Sequence, residues 1–227
     1  MIMSEPACEG IQGRNLFAAD YISDSYIANK DVLDIGCGSG WFENNALCRG
    51  CKSITGVDIS QKHVKTARTV IEDPRSELVV GSAIHLPFYD AQFDAAVSWE
   101  VLEHLPARTE GRFFGEVYRV LKRGGVFCFS TPNSAFFAKL LDPAWLLTRH
   151  RHYRTNELIA TIRLSGFQIE DVDIRGRFPE LLAGIDLLVA KWVFRRDMFF
   201  KKAFGAWQKR EFEKPGFTGI FAKLRKA

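Results

Sequence analysis

Two carboxylates flank a glycine-rich run: Asp34-Ile35-Gly36-Cys37-Gly38-Ser39-Gly40 and, 22 residues after Gly36, Asp58. Glycines at 36 and 38 let the backbone approach a ligand where a side chain would collide, and Gly40 adds a further bend. Asp58 ends a second apolar run, close to the spacing of a carboxylate that accepts ribose hydroxyls. Asp34 suits a cationic or amine-bearing ligand and would repel a pyrophosphate. The third glycine of a dinucleotide fingerprint is replaced by Trp41. These residues predict a pocket for an adenosine-bearing cofactor, and favour S-adenosylmethionine over a dinucleotide.

Proton chemistry has two further candidates. Glu103-His104 follows an apolar run, and Glu100 stands four residues before His104. On a helix that spacing puts Glu100 where it would orient or charge the imidazole. Downstream, Arg149-His150-Arg151-His152-Tyr153-Arg154 is a basic, aromatic turn whose arginines suit a carboxylate or phosphate. No HExxH pattern and no two CxxC pairs are present, so no metal is expected.

The elements that must carry these residues alternate. Strands are predicted at Asp31–Ile35, Ser53–Asp58, Glu77–Gly81, Phe93–Trp99, Gly125–Ser130 and Gly166 to about Ile174. Helices are predicted within 13–29, from near Trp41, from a Ser60 cap to about Ile71, over most of Leu102–Leu121, and over Thr155–Ser165. Gly216–Leu224 reads as a seventh strand, antiparallel at or near the edge. Short strands alternating with helices build a parallel sheet, with ligands outside the strands' carboxyl ends. The expected fold is therefore α/β: a Rossmann-like, mostly parallel seven-stranded sheet with helices on both faces, plus a helical C-terminal embellishment. Residues 1–177 are expected to be the cofactor-binding core. Residues 178–214 are read as an apolar and basic helical insertion over the substrate side, and 215–227 as the last strand and tail.

In order and spacing these motifs resemble the class I S-adenosylmethionine-dependent methyltransferases, specifically the small-molecule group that includes the ubiquinone-biosynthesis O-methyltransferases. The resemblance covers roughly residues 13–175. It implies cofactor contacts from Asp34, Gly36, Gly38 and Gly40, ribose binding by Asp58 and adenine packing by Ile59. Ser82 and Ala83 fall where the family holds the adenine amine, though Ser82 stands where the family usually has Asp. Trp99 would cover the cofactor. Glu103-His104 would border the substrate, and the loop of Arg149, His150, His152 and Tyr153 would lie over the active site. Catalysis is thus expected from His104, His152 and Glu103, and substrate contact from Glu100, Arg149, His150 and Tyr153.

Composition sets the bounds. The chain has 227 residues, 47% of them hydrophobic, and a net charge of +4. Residues 191–227 hold 11 basic and 3 acidic side chains, leaving 20 basic against 24 acidic in the rest. The apolar, basic segment 178–214 is read as helices packing over the substrate, or as a peripheral membrane contact with lysines on anionic lipid. No span there is long and uncharged enough to cross a bilayer. Nucleic acid is disfavoured, since only the tail is basic and no reader motif is present. Five cysteines are read as packed thiols of a reducing compartment, and a cytoplasmic location is expected. The leading function is methylation of a small or lipid-like acceptor on oxygen. Methylation of RNA or protein, and a non-catalytic partner subunit, are the alternatives.

Overall fold

The computed structural model describes residues 13–135, 151–178 and 214–227, together with Leu182, Asp186, Trp207, Glu211 and Phe212. Its strands are β1 (Asp31–Ile35), β2 (Ser53–Asp58), β3 (Ser76–Val80), β4 (Phe93–Trp99), β5 (Leu121–Pro132), β6 (Phe167–Arg175) and β7 (Gly219–Lys226). They form one sheet in the order β3-β2-β1-β4-β5-β7-β6. β1 to β5 pair in parallel, and β7 runs antiparallel between β5 and β6. This is the expected Rossmann-like arrangement, with β6 as the edge strand and β7 one position inside it.

Alternation along the central strands explains why helices cover both faces. Val32 and Ile54 face α1 (Arg14–Tyr21), α2 (Trp41–Cys48) and α3 (Gln61–Val70), packing with Ala18, Phe42, Ala46, Val64 and Ala67. Leu33, Ile35, Phe127 and Phe129 face the other way. There Phe113, Phe114, Val117 and Val120 of α4 (Glu110–Val120) meet them with Leu158 and Ile162 of α5 (Thr155–Leu164). The spacing in α4 is one helix face, and each buried phenylalanine contributes roughly 1.5–3 kcal/mol. At the amino ends of the strands, Lys122 Nζ donates to Asp31 Oδ2 at 3.2 Å and Asp94 Oδ2 at 3.0 Å.

Strand order reverses between β1 and β4, because β1 pairs with β2 on one side and β4 on the other. Such a switch point leaves a crevice outside the strands' carboxyl ends. β1 ends at the glycine run, β2 at Asp58 and β4 at Trp99, so the sequence motifs converge there.

Three expectations are corrected. The helix expected over most of Leu102–Leu121 is interrupted: Leu102–His104 is a 3-10 turn, and α4 begins only at Glu110. Pro106 is the physical reason, since it pushes Leu105 into an extended conformation, φ −66 and ψ 154. Glu100, with φ +57, is in the left-handed region and on no helix, so the helical pairing with His104 does not form. The thiols are also not all free. Cys48 and Cys51 stand in a CxxC spacing; Cys51 is a buried free thiol, as are Cys37 and Cys128, whereas Cys48 is disulfide-bonded.

Of 178–214, the described Leu182, Asp186, Trp207, Glu211 and Phe212 are helical. Phe212 is buried against Phe17 of α1 and Phe221 of β7. Among the described residues no helix is long and apolar enough to cross a membrane.

Candidate active site

The turn after β1 depends on its glycines. Gly36 has φ +83, and a Cβ there would lie 2.3 Å from Val101 Cγ2. Gly38 has φ +54 and nothing within 4 Å of that place, so its backbone faces open space that a ligand can enter. Gly36 and Cys37 donate their N–H groups to Val57 O at 2.7 and 3.2 Å. Gly38 N–H donates to Asp58 Oδ2 at 3.0 Å. The second oxygen of Asp58 accepts Ser60 N–H at 2.7 Å. Ser60 then caps α3, accepting His63 N–H at 3.3 Å. The carboxylate of Asp58 is therefore fixed by backbone groups from both neighbouring turns.

Outside this turn opens a cavity of about 510 Å³, within the ~300–1,000 Å³ usual for ligand pockets. Gly36, Gly38, Asp58, Ile59, Ser82, Ala83, Glu100 and His104 line it. Much of the remaining lining is apolar: Val57, Ile84, Val101, Leu105 and Pro106. Ile59 is 79% exposed, which is unusual for an isoleucine ending a strand–helix connection. Ser82 and Ala83 lie in a tight turn closed by His85 N–H donating to Ser82 O at 3.1 Å.

Other predicted residues sit elsewhere. Gly40 starts α2, with φ +87, and packs beneath Ile71 rather than lining the cavity. Asp34 is 2% exposed, below the turn. Trp99 is buried among Phe42 and Phe221, its indole Nε1 without a hydrogen-bond partner among the described residues. Glu103 is buried and accepts from Thr131 Oγ1 at 3.1 Å, facing β5. His152 Nδ1 lies 3.0 Å from Asn133 O, so that nitrogen carries the donated proton. Arg149 and His150 lie outside the described residues.

The basic, aromatic turn grips the His104 segment. Arg151 Nη2 donates to Leu102 O at 2.9 Å and Leu105 O at 2.5 Å, and Nη1 pairs with Glu110. The Tyr153 hydroxyl lies 2.9 Å from Leu102 O and 3.1 Å from Glu110 Oε1. Glu100 accepts Ser130 Oγ at 2.7 Å and pairs with Arg14 at the start of α1.

Sequence reasoning missed Arg14, His63 and Glu43. Nothing local marks Arg14, whose partner is 86 residues away. His63 was within reach: it stands in the first turn after the Ser60 cap, lines the cavity, and places Nδ1 3.4 Å from Asp58 Oδ2. Glu43 is 0% exposed on α2, where its position in a helix gave no warning of complete burial.

Burial raises several acids. Asp34 is pushed up to about 8 by burial and by the charge of Asp58. Glu43 is raised well above the carboxylate range by burial and Asp34. Glu103 is raised likewise, by burial and then Glu100. The Cys37 thiol is raised by burial and by Glu43, so it is not a nucleophile. Among the described residues no cluster of His, Cys, Asp and Glu is placed to hold a metal ion.

The sequence over residues 33–129 matches a family model described as "Methyltransferase domain". A probable S-adenosylmethionine-dependent methyltransferase of Mycolicibacterium smegmatis is 33% identical over 144 residues, 63% of this chain and 54% of the relative. The ubiquinone biosynthesis O-methyltransferase of Azoarcus sp. is 32% identical over 117 residues, 50% of this chain and 49% of the relative. The chain spans about half the length of these curated relatives. Among solved structures, a putative sarcosine dimethylglycine methyltransferase from Galdieria sulphuraria superposes with a TM-score of 0.68 at 19% identity, covering 93% of this chain and 84% of that one. That likeness establishes the fold alone.

Proposed function

We propose that the chain is a class I S-adenosylmethionine-dependent methyltransferase, on the match of residues 33–129 to a methyltransferase-domain model, the similarity to the Mycolicibacterium relative and the sheet order, and that it transfers a methyl group from that cofactor to an oxygen of a small or lipid-like acceptor. The observation that carries the proposal is the cavity at the strand switch point, with Asp58 fixed at its floor and His104 exposed on its wall. The residues present fit the cofactor. Gly38 offers backbone to open space, and Asp58 has an aimed carboxylate for ribose hydroxyls. Exposed Ile59 offers an apolar face for adenine, with Ser82 and Ala83 at its edge. Asp34 places an acid beneath the site of a cationic ligand.

When bound, the cofactor supplies a methyl group on a sulfonium, and in-line orientation accounts for much of the barrier reduction. The chain's own residues then orient and deprotonate the acceptor. His104 is the candidate base for an acceptor hydroxyl, because it faces the cavity. Glu100, tied to Ser130 and Arg14, shapes the wall beside it. Glu103, turned toward Thr131, acts through the turn it stands on. His152, Tyr153 and the preceding Arg149 and His150 form the loop proposed to close over the acceptor.

The acceptor class rests on the apolar wall formed by Ile84, Val101, Leu105 and Pro106, and on the named activity of the Azoarcus relative. Residues 178–214 are proposed as the element that covers the acceptor or brings the protein to a lipid surface. The test is methyl transfer from labelled cofactor to phenols, quinol precursors and lipid extracts. Transfer to an oxygen of one class, lost in His104→Gln, supports the reading. Transfer only to RNA or protein would overturn it.

A further inference from the structure

Beneath the glycine turn lies a second buried acid. Glu43 of α2 is 0% exposed, and neither carboxyl oxygen meets a hydrogen-bond partner among the described residues. Its place is defined by an omission in β2: a Cβ at Gly56 would stand 2.2 Å from Glu43 Oε1. Gly56 is in register with Asp34 of β1. The Asp34 and Glu43 side chains are thus neighbours on one face of the sheet, beneath the glycine turn.

An unpartnered buried carboxyl is costly, and two buried side by side resist ionising together without a cation. Among the described residues neither carboxyl takes part in an ion pair. The groups acting on the pair from surrounding elements are Asp58 of β2 and the Cys37 thiol of the turn. Asp58 carries negative charge of its own, which disfavours ionising the pair further. A positive charge arriving at the turn would change that balance, since Coulomb attraction is strong where water is excluded.

We propose that Glu43 is a positioning residue for Asp34: the two buried carboxyls share a proton in the ligand-free protein, and a sulfonium ligand drives its release to solvent. The step is an acid dissociation, carboxyl to carboxylate, with the proton taken up by buffer. The site would then favour the positively charged cofactor over its neutral thioether product, which helps product leave. The inference rests on the cofactor assignment above.

The test counts protons by calorimetry of the full chain in buffers of different ionisation enthalpy, with S-adenosylmethionine and S-adenosylhomocysteine as ligands. The expected result is proton release with the first and less with the second at pH 7. The ratio of their affinities should rise several-fold between pH 6 and 8, within the ~tenfold per pH unit that one linked proton allows. Glu43→Gln should lose most of this dependence while still binding both ligands, and Asp34→Asn gives a second reading should that variant not fold. Glu103→Gln should keep the dependence, which separates the other buried acid. The ligand's own amine titrates in every variant, so it cancels in the comparison. Equal proton release with the two ligands in the parent chain, or undiminished release in a folded Glu43→Gln, would overturn the inference. Failure of both ligands to bind would instead overturn the cofactor assignment.

Discussion

Arg151 spans the carbonyls of Leu102 and Leu105, at 2.9 and 2.5 Å from Nη2, and so clamps the turn that presents His104. A single guanidinium serves several acceptors in one plane, which an ammonium cannot match. Arg151→Ala leaves part-buried carbonyls and Glu110 without that donor. The expected cost is about 1–3 kcal/mol of stability, with acceptor turnover falling more than cofactor affinity. Thermal unfolding, cofactor titration and kcat/KM together check this. Arg151→Lys should recover little of either loss.

Gly56→Ala should be destabilising by about 1–3 kcal/mol, the usual cost of overpacking. The added methyl meets Glu43 Oε1, Leu78 Cδ2 at 2.7 Å and Cys37 Cβ at 2.9 Å. Combining it with Glu43→Ala removes the nearest of the three. The double variant should be more stable than the two single losses predict when added, as read by urea unfolding. Strict additivity would mean that Glu43 does not occupy the space beside Gly56.

Stability should depend on pH in a direction set by the buried acids. Asp34, raised from 3.8 to about 8 by burial and Asp58, binds its proton more tightly folded than unfolded. Its contribution is full below the unfolded value and is lost as pH rises through the folded one. Ligand-free protein should therefore weaken between about pH 4 and pH 8, by at most ~1.4 kcal/mol per pH unit for each such group. Glu43 and Glu103 act in the same sense. Glu116, held low by the hydrogen bonds from Arg119, acts oppositely and only at acid pH, where its protonation removes stability. Unfolding midpoints across that range check the slope, and Glu43→Gln should flatten it.

What the sequence made legible follows from which forces are local. The glycine run, Asp58 and the alternating strands are local patterns, and the mostly parallel sheet and the place of the cavity follow from them. The turn at Glu100 was misread because apolar spacing over 102–121 suggests helix, whereas Pro106 fixes Leu105 as extended. Trp99 was read as covering the ligand but lies in the core, because strand alternation puts it on the side of α1 and α2. The pairs Arg14 with Glu100, Arg151 with Leu102 and Glu43 with Gly56 join distant segments, and only the folded sheet brings them together. The disulfide at Cys48 was not marked by its local spacing, since Cys51, three residues on, is a free thiol.

The central claim is the cofactor site, and titration with S-adenosylhomocysteine by calorimetry, beside Asp58→Ala, tests it most directly. Asp58 is fixed by Gly38 and Ser60 backbone groups, so its removal takes away the ribose acceptor and loosens the turn. The account predicts saturable binding to the parent chain and a loss of roughly tenfold or more in the variant, in keeping with about 1.5–3 kcal/mol for hydrogen bonds to a charged group. Equal affinity in the two proteins, or no binding to the folded parent chain, would contradict it.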